Sequence, residues 1–318
     1  MNTVDSGTAS VSLPNLQLAT APDSWGVWFP DDPHQVPWTQ FLDEVVAAGY
    51  TAVELGPFGY LPTSPEQLRD ELGRRGLTLT GATVGTHLHR SPQALEEALV
   101  ECRQVAAVLS AMDAPYLVTL PAMYTDLYSG ELLEPAELTS EQWGWLCGGH
   151  DGLGRSLLEE FGVKQVFHPH ADAHVDNNAR IGRFLEGTTA EAVSLCLDTG
   201  HVAYAGGDNR AIVAKFPARI GYIHLKSVDP VVLAKVRAEG MSFAQAVQAG
   251  AMVEPTEGEP DMPVLLADLN ALGVPVWAVV EHDMYPAPAD KALPIATRTR
   301  RYYSGCGVRS VSARRAGR

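Results

Sequence analysis

Four short apolar segments in the second half of the chain each end in a side chain that can bind a metal ion. KQVFH, VSLCLD, IGYIH and VWAVVE bring His168, Asp198, His224 and Glu281 to the carboxyl ends of predicted strands. In a parallel β barrel all of these ends open on one face, so the four side chains can meet there. Each residue alone also fits a structural role, such as a helix cap, but the shared position favours a joint site. Two imidazoles and two carboxylates suit Mn²⁺, Co²⁺, Fe²⁺ or Zn²⁺ better than Ca²⁺.

Three more residues with acid–base side chains lie close to these ligands in sequence. His170 and Lys226 each follow a predicted ligand by two residues, and His201 follows Asp198 by three. Since side chains alternate along a strand, a residue two positions on can point to the same side as the ligand. We therefore expect His170 to meet the substrate. A lysine buried beside a cation has a depressed pKa, so Lys226 is expected to act as acid or base near neutrality. For His201 the pattern is consistent with an acid or with a residue that only hydrogen-bonds a ligand.

Residues after the first three predicted strands are further candidates for the pocket. Glu54 lies near the end of the second predicted strand, in the segment TAVELG, and is consistent with a base or with a structural salt bridge. Trp25 in APDSWG could form a floor for the apolar face of a sugar ring or could plug the barrel mouth. His87 and His89 in GTHLHR form an HxH pair, which is consistent with metal binding or with lining the substrate pocket.

Short β-branched runs alternate with amphipathic stretches about eight times, a pattern typical of βα units around a parallel sheet. Eight evenly spaced units favour a single-domain α/β fold, a closed (β/α)8 TIM barrel, over a doubly wound sheet. The predicted strands are 16–21, 51–55, 77–82, 116–120, 164–168, 194–198, 221–225 and 275–281. The predicted helices are 37–48, 64–75, 92–112, 139–161, 177–185, 208–216, 260–272 and 289–303.

The spacing of these elements also predicts the limits of the domain. The catalytic barrel is expected to span 16–303, with a flexible N-terminal extension over 1–15 and a basic, disordered tail over 304–318. A long loop over 121–138 lies on the face of the predicted ligands, where such loops shape substrate pockets. A second insertion, 229–262, contains a possible short helix and a return rich in Gly and Pro.

Composition limits the possible partners. The 318 residues include 23 Lys and Arg and 38 Asp and Glu, and the resulting net charge of −15 repels nucleic acids and anionic membranes. No apolar run approaches the roughly 20 residues of a membrane span, and the N-terminus lacks a secretory signal pattern, so we expect a cytoplasmic protein. The four cysteines form no CxxC pair, which argues against a disulfide framework. A small-molecule substrate is the partner that these observations favour, with a homo-oligomer left open.

Around the predicted ligands the sequence resembles the sugar isomerase/epimerase superfamily of xylose-isomerase-like barrels. The likeness is carried by LDTGHVAYAGGD, RIGYIHLK and VVEHD, and it extends from APDSWG to about residue 303. Within this superfamily the chain is most similar to the inosose dehydratases, through FHPHADAHV and the segment RAEGMSF after the seventh strand.

The resemblance implies a divalent metal, most often Mn²⁺ or Co²⁺ with Mg²⁺, Fe²⁺ or Zn²⁺ as alternatives, at His168, Asp198, His224 and Glu281. It also implies enediolate chemistry on a keto-cyclitol or keto-sugar. Most relatives have a glutamate where this chain has His168, and isomerases and epimerases use that glutamate, so its replacement favours the elimination of water. The alternatives are a sugar or sugar-phosphate isomerase or epimerase, a deglycosidase that eliminates an aglycone, and a non-catalytic sugar-binding barrel.

Overall fold

A computed structural model describes residues 12–310 of the chain. The strands are β1 (Leu13–Thr20), β2 (Ala52–Val53), β3 (Thr78–Leu79), β4 (Gly81–Thr86), β5 (Tyr116–Pro121), β6 (Lys164–Phe167), β7 (Val193–Asp198), β8 (Ile220–Leu225), β9 (Ser227–Val228), β10 (Met252–Val253), β11 (Val276–Val280) and β12 (Val308–Ser310). The helices are α1 (Trp38–Ala48), α2 (Pro65–Gly73), α3 (Ala94–Ala111), α4 (Ser140–Phe161), α5 (Asn178–Gly187), α6 (Thr199–Tyr204), α7 (Asn209–Lys215), α8 (Pro230–Glu239), α9 (Phe243–Gln248), α10 (Met262–Asn270) and α11 (Ala292–Gly305). Within 12–310, the search for a helix long and apolar enough to cross a membrane finds none.

Parallel strand pairing closes the sheet into a barrel. The strand order is β3-β2-β1-β11-β8-β7-β6-β5-β4. β3 and β4 are separated by Thr80 alone and act as two parts of one barrel strand. Beyond β2, the Leu55 amide donates to the Gly81 carbonyl at 2.9 Å and Pro57 forms a bridge with Thr83, which joins the two ends of the sheet. Eight barrel strands result, and the predicted (β/α)8 fold is confirmed.

The interior of the barrel is filled by layers of side chains, and these layers position the candidate ligands. Every second residue of a strand points inward. One inner cluster contains Val166, Cys196, Tyr222 and Val279, each fully buried and each from a different strand among β6, β7, β8 and β11. The next inward position lies two residues further along each strand. Those four positions are the ones that the sequence predicts to bind metal.

Local sequence starts the helices that follow the strands. The Thr139 hydroxyl accepts the Gln142 amide at 3.2 Å, and the Gln142 side chain accepts the Thr139 amide at 3.0 Å, which is a capping box at the start of α4. Asp198 caps α6, since its Oδ1 accepts the His201 amide at 2.7 Å. The cap turns the chain sharply after β7 and keeps His201 above the end of that strand.

Several predicted boundaries are wrong at the ends of the domain. β1 begins at Leu13, so residues 13–15 belong to the barrel, whereas 1–11 lie outside the described residues. The third barrel strand runs on to Thr86. The largest difference from the predicted boundaries is in the C-terminal tail. α11 continues to Gly305, and β12 pairs with β1 and buries Val308. Residues 304–310 are therefore structured, and 311–318 lie outside the described residues.

Both insertions pack over the face of the barrel where the predicted ligands lie. In the 121–138 loop, the Tyr124 amide donates to the Asp172 carbonyl at 2.8 Å, which ties this loop to the segment after β6. The 229–262 insertion contains α8, α9 and β10, which pairs antiparallel with β9 just before it, and this is more structure than the single short helix expected. At the start of α9, Phe243 is buried against the rings of His170 and His201.

Candidate metal centre and active site

The four predicted ligands converge at the carboxyl ends of β6, β7, β8 and β11. One nitrogen or oxygen atom from each of His168, Asp198, His224 and Glu281 lies within 4.8 Å of the others. His168 Nε2 lies 3.1 Å from Asp198 Oδ2, and His224 Nδ1 lies 3.0 Å from Glu281 Oε2. Asp198 and His224 are register partners on neighbouring strands. The alternation of side chains along each strand and the register between neighbouring strands thus bring residues that are distant in sequence to one point.

The hydrogen bonds of His224 fit a bound cation. Burial opposes a charge on His224, but Cys196, Glu281 and Glu54 raise the pKa of His224 well above its usual range. Its Nε2 donates to Glu54 Oε2 at 3.0 Å, so in the neutral imidazole that would bind a cation Nδ1 has a lone pair and faces Glu281. This Nδ1 atom is buried and has no hydrogen-bond partner. A histidine that binds a metal through one nitrogen commonly donates to a carboxylate through the other. Glu54 itself is fully occupied, because its second oxygen accepts the Thr83 hydroxyl at 2.6 Å, so the structure favours its salt-bridge role over its role as a base.

The charge of the site also fits a cation. One lysine, Lys226, stands among five acidic side chains that are buried or nearly so, Asp23, Glu54, Asp198, Glu281 and Asp283. Buried charges are costly unless opposite charges pair with them. A divalent cation between the two imidazoles and the two carboxylates would offset part of this negative excess.

Lys226 lies at the centre of four of these carboxylates. Its Nζ atom is 2.9 Å from Asp283, 3.1 Å from Glu281, 3.4 Å from Asp198 and 3.7 Å from Asp23. Burial opposes its charge, but the carboxylates hold the pKa of Lys226 well above its usual range. This direction is opposite to the depression expected from burial beside a cation, because four carboxylates surround the ammonium group. Lys226 is a stable ammonium group that can neutralise developing negative charge, and it is unsuited to removing a proton.

The segment DTGH holds this lysine in position. The Thr199 hydroxyl bonds both the backbone amide of Lys226, at 2.9 Å, and its carbonyl, at 2.6 Å. A Cβ atom on Gly200 would lie 2.5 Å from Lys226 Cγ, so this position needs the small side chain of glycine. Residues that follow β7 thus fix a side chain that follows β8.

His170 and His201 lie together above the metal cluster, as the sequence predicts. Their ring centroids are 3.9 Å apart. Burial, followed by the charge of His168, lowers the pKa of His170 to about 3. Burial and His170 lower the pKa of His201 well below its usual range. Both imidazoles are therefore neutral at pH 7.

The backbone of Ala171 assigns opposite tautomers to these two neutral rings. His170 Nδ1 lies 2.7 Å from the Ala171 carbonyl oxygen and must donate to it, so its Nε2 carries a lone pair. His201 Nδ1 accepts the Ala171 amide at 3.2 Å, which favours a hydrogen on Nε2, 3.3 Å from Lys226 Nζ. One neutral histidine therefore offers an acceptor and its neighbour offers a donor.

Two acidic residues of the site were absent from the sequence-based candidates. Burial, together with Glu281, raises the pKa of Asp23 well above its usual range, and burial likewise raises the pKa of Asp283. Both residues line the cavity beside Lys226. Asp283 follows Glu281 by two residues, so the alternation argument applied to His168 and His224 could have found it. For Asp23, in the segment APDSWG, periodicity offers no comparable signal.

The centre opens into a cavity of about 330 Å³, a size that suits a small-molecule ligand. Trp28, Phe29 and Phe243 form an aromatic wall, and Trp28 stacks on Tyr285 with ring centroids 4.8 Å apart. Met123 and Leu127 line the cavity from the 121–138 loop, where the sequence predicts a pocket-shaping loop. The aromatic residues of this wall were not among the sequence-based candidates, because Trp28 and Phe29 follow β1 whereas Phe243 comes from the distant 229–262 insertion.

Three predicted substrate-binding residues lie outside the lining of this cavity. Trp25 is buried against Phe41 and donates to Glu44 at 2.7 Å, so it plugs the barrel and is not a floor for substrate. His87 is exposed at the surface, 3.3 Å from a carboxylate oxygen of Glu97. His89 is buried, but it belongs to a separate cluster in the loops. These three assignments are wrong for this cavity.

Comparison with known proteins agrees with the geometry. The model of the xylose isomerase-like TIM barrel family matches residues 42–300, and the chain belongs to this family. A protein of Geobacillus thermodenitrificans named inosose dehydratase is 31% identical over 300 residues, which cover 92% of this chain and 98% of that protein. A protein of Geobacillus kaustophilus with the same name is 33% identical over 257 residues, or 79% and 81% of the two chains. The resemblance drawn from the sequence is confirmed.

A solved structure shows the same fold. The crystal structure of the IOLI protein with a binding zinc atom has a TM-score of 0.69 against this chain at 16% identity, and the match covers 93% of this chain and 99% of that one. The barrel is therefore shared with a protein of low sequence similarity, whose description names a bound metal.

Proposed function

We propose that the protein is a divalent-metal-dependent hydro-lyase that removes water from a keto-cyclitol, with Mn²⁺ or Co²⁺ as the ion. The relatives named inosose dehydratase, which align along nearly the whole chain, support this substrate class. The oxygen-rich donor set of two carboxylates and two imidazoles supports these ions.

His168, Asp198, His224 and Glu281 would hold the ion. When bound, it would supply Lewis-acid stabilisation of the negative charge that develops as the proton next to the ketone is removed. Lys226 adds a fixed positive charge beside the same point, and the aromatic wall keeps water from much of the cavity. The remaining tasks are to take a proton and to protonate a leaving hydroxyl.

The opposite tautomers of His170 and His201 are the observation that carries this proposal. His170 Nε2 has the lone pair needed to take the α proton, and His201 Nε2 has the hydrogen needed by the departing hydroxyl. The C–H electrons form the new double bond, the C–O bond breaks, and the hydroxyl leaves as water with the proton from His201. The proton that His170 has taken then passes to His201, whose ring centroid lies 3.9 Å away, so both imidazoles end neutral.

The test is to supply metal-loaded protein with a panel of keto-inositols and ketoses in D₂O. We expect a product smaller by one water, identified by mass spectrometry, and formed only from substrates with a hydroxyl β to the ketone. A product of unchanged mass with deuterium at the α carbon and altered configuration would instead identify an isomerase or epimerase. If metal-loaded protein gave neither deuterium exchange nor product, the result would identify a sugar-binding barrel without catalytic activity.

A further inference from the structure

A second group of metal-ligand side chains lies in the loops above the barrel, outside the cavity. His89, Glu134 and His174 each offer one ligand atom, and these atoms lie within 4.8 Å of one another. His89 Nε2 is 3.0 Å from Glu134 Oε1. The two histidines are only 1% and 2% exposed, so the group is built into the protein and is not a surface cluster.

The environment of His174 points to a missing ligand. Its Nε2 donates to the Pro135 carbonyl at 3.0 Å, which leaves Nδ1 with a lone pair. This Nδ1 atom is buried and has no hydrogen-bond partner. Buried polar atoms are rarely left unpaired, and a backbone carbonyl on the far nitrogen is the usual support of a metal-binding imidazole. The rings of His89 and His174 lie with centroids 4.5 Å apart.

We propose that His89, Glu134 and His174 bind a second divalent cation, of the zinc type. Two imidazoles and one carboxylate are a set that holds Zn²⁺ at about 2.0–2.2 Å and leaves the fourth position to water. Arg90 also reaches Glu134, at 3.4 Å, but its side chain is 48% exposed and can withdraw into solvent. The site is separate from the candidate metal centre in the barrel, because none of its ligands lines the cavity.

The three ligands come from three different loops, and this gives the second ion a function. His89 follows β4, Glu134 lies in the 121–138 loop after β5, and His174 lies in the segment after β6. The loop of Glu134 also carries Met123 and Leu127, which line the cavity. An ion shared by the three loops would therefore fix the wall of the substrate cavity, and its loss should raise KM more than it lowers kcat.

The test is metal stoichiometry on full-length protein stripped with a chelator and then titrated with Zn²⁺ by calorimetry and elemental analysis. We expect two ions per wild-type chain and one in Glu134→Gln and in His174→Gln. Asp198→Ala should lose the barrel ion and keep the loop ion, and Asp198→Ala combined with Glu134→Gln should bind none. His87→Gln, from the same HLHR segment but exposed, is the matched control and should keep both.

Co²⁺ gives a second readout that does not depend on activity. Co²⁺ bound to the loop site of the Asp198→Ala variant should produce the visible absorption of a four-coordinate site. This absorption band should be absent from the double variant Asp198→Ala/Glu134→Gln. One ion per wild-type chain, or two ions that both persist in folded Glu134→Gln and His174→Gln variants, would overturn the proposal.

Discussion

At the scale of single residues, Asp198 combines two roles through its two oxygens. Oδ2 faces His168 at 3.1 Å within the metal cluster, while Oδ1 caps α6 through the His201 amide at 2.7 Å. Burial opposes its charge, but Lys226, His201 and His168 hold the pKa of Asp198 well below its usual range. This carboxylate is therefore ionised at neutral pH and available to a cation.

Replacing Asp198 with alanine should remove the barrel ion. The variant loses one of two carboxylates in the cluster, and we expect metal affinity there to fall by at least ~10²-fold. Elemental analysis after gel filtration measures the result. Asp208→Ala is a matched control, because Asp208 caps α7 in the same way, through the Ala211 amide at 3.1 Å, without facing the cluster. Equal metal content in the two variants would contradict the site.

The opposite tautomers of His170 and His201 lead to a prediction that separates their roles. His170→Gln should abolish deuterium exchange at the α carbon and lower kcat by about 10²–10⁴-fold, the usual range for one acid–base group. His201→Gln should slow the loss of water but retain exchange, because the acceptor at His170 remains. Both should keep the barrel ion.

The control for this pair is His34→Gln, since the His34 side chain is 74% exposed and remote from the cavity. Measured exchange that persists in His170→Gln, or that is lost equally in both variants, would show that the assignment of base and acid is wrong.

At the scale of secondary-structure elements, α4 depends on a buried histidine. His150 is fully buried between α4 and the sheet, beside Phe167, and its Nδ1 bonds the Gln165 side chain at 3.3 Å. Burial lowers the pKa of His150 to about 4. Its packing against β6 therefore requires the neutral imidazole.

This requirement predicts a loss of stability in acid. In the unfolded chain the histidine binds a proton below about pH 6.5, whereas in the folded chain it does so only near pH 4, so stability falls as the pH drops through this window. Between pH 7 and pH 5 the loss from His150 amounts to about 2 kcal/mol. His150→Asn keeps a partner for Gln165 without titrating, and urea unfolding at both pH values should show that much less pH dependence. Identical pH dependence in wild type and variant would refute the assignment.

At the scale of the whole molecule, the barrel separates stability from chemistry. The candidate site occupies the carboxyl ends of the strands, whereas β12 pairs along β1 from Leu13 onward, nearer its amino end. Val308 is buried there, and the Leu13 amide donates to the Gly307 carbonyl at 2.9 Å. Val308 thus packs beside Leu13 at the amino end of β1, away from the strand ends that carry the candidate site.

Shortening Val308 should therefore weaken folding and leave the site intact. Val308→Ala is expected to lower the free energy of unfolding by about 1–2 kcal/mol, from lost apolar burial and the cavity left behind. Arg309→Ala, at the adjacent exposed position, should change it little. Urea unfolding measures the stability, and metal content should be unchanged in both. A drop in metal content with Val308→Ala would show that the two ends of the barrel are coupled.

The sequence predicted the repeat, the barrel and the four residues of the candidate metal centre, because each follows from a local period. Alternation along a strand and equal placement at strand ends predicted His168, Asp198, His224 and Glu281, and the same rule predicted His170 and Lys226 near them. Capping signals and amphipathic stretches located the helices that flank the barrel to within a few residues.

Only the tertiary structure decided how the neighbours of the ligands behave, since electrostatics and packing depend on distances between remote segments. Four carboxylates from three parts of the chain keep Lys226 charged, which reverses the pKa expected from burial beside a cation. The loops after β4, β5 and β6 bring His89 to Glu134 and His174 instead of to the cavity, and Trp28 replaces Trp25 at its wall. The packing of loops leaves no periodic pattern in the sequence, so these contacts could not be predicted from the sequence alone.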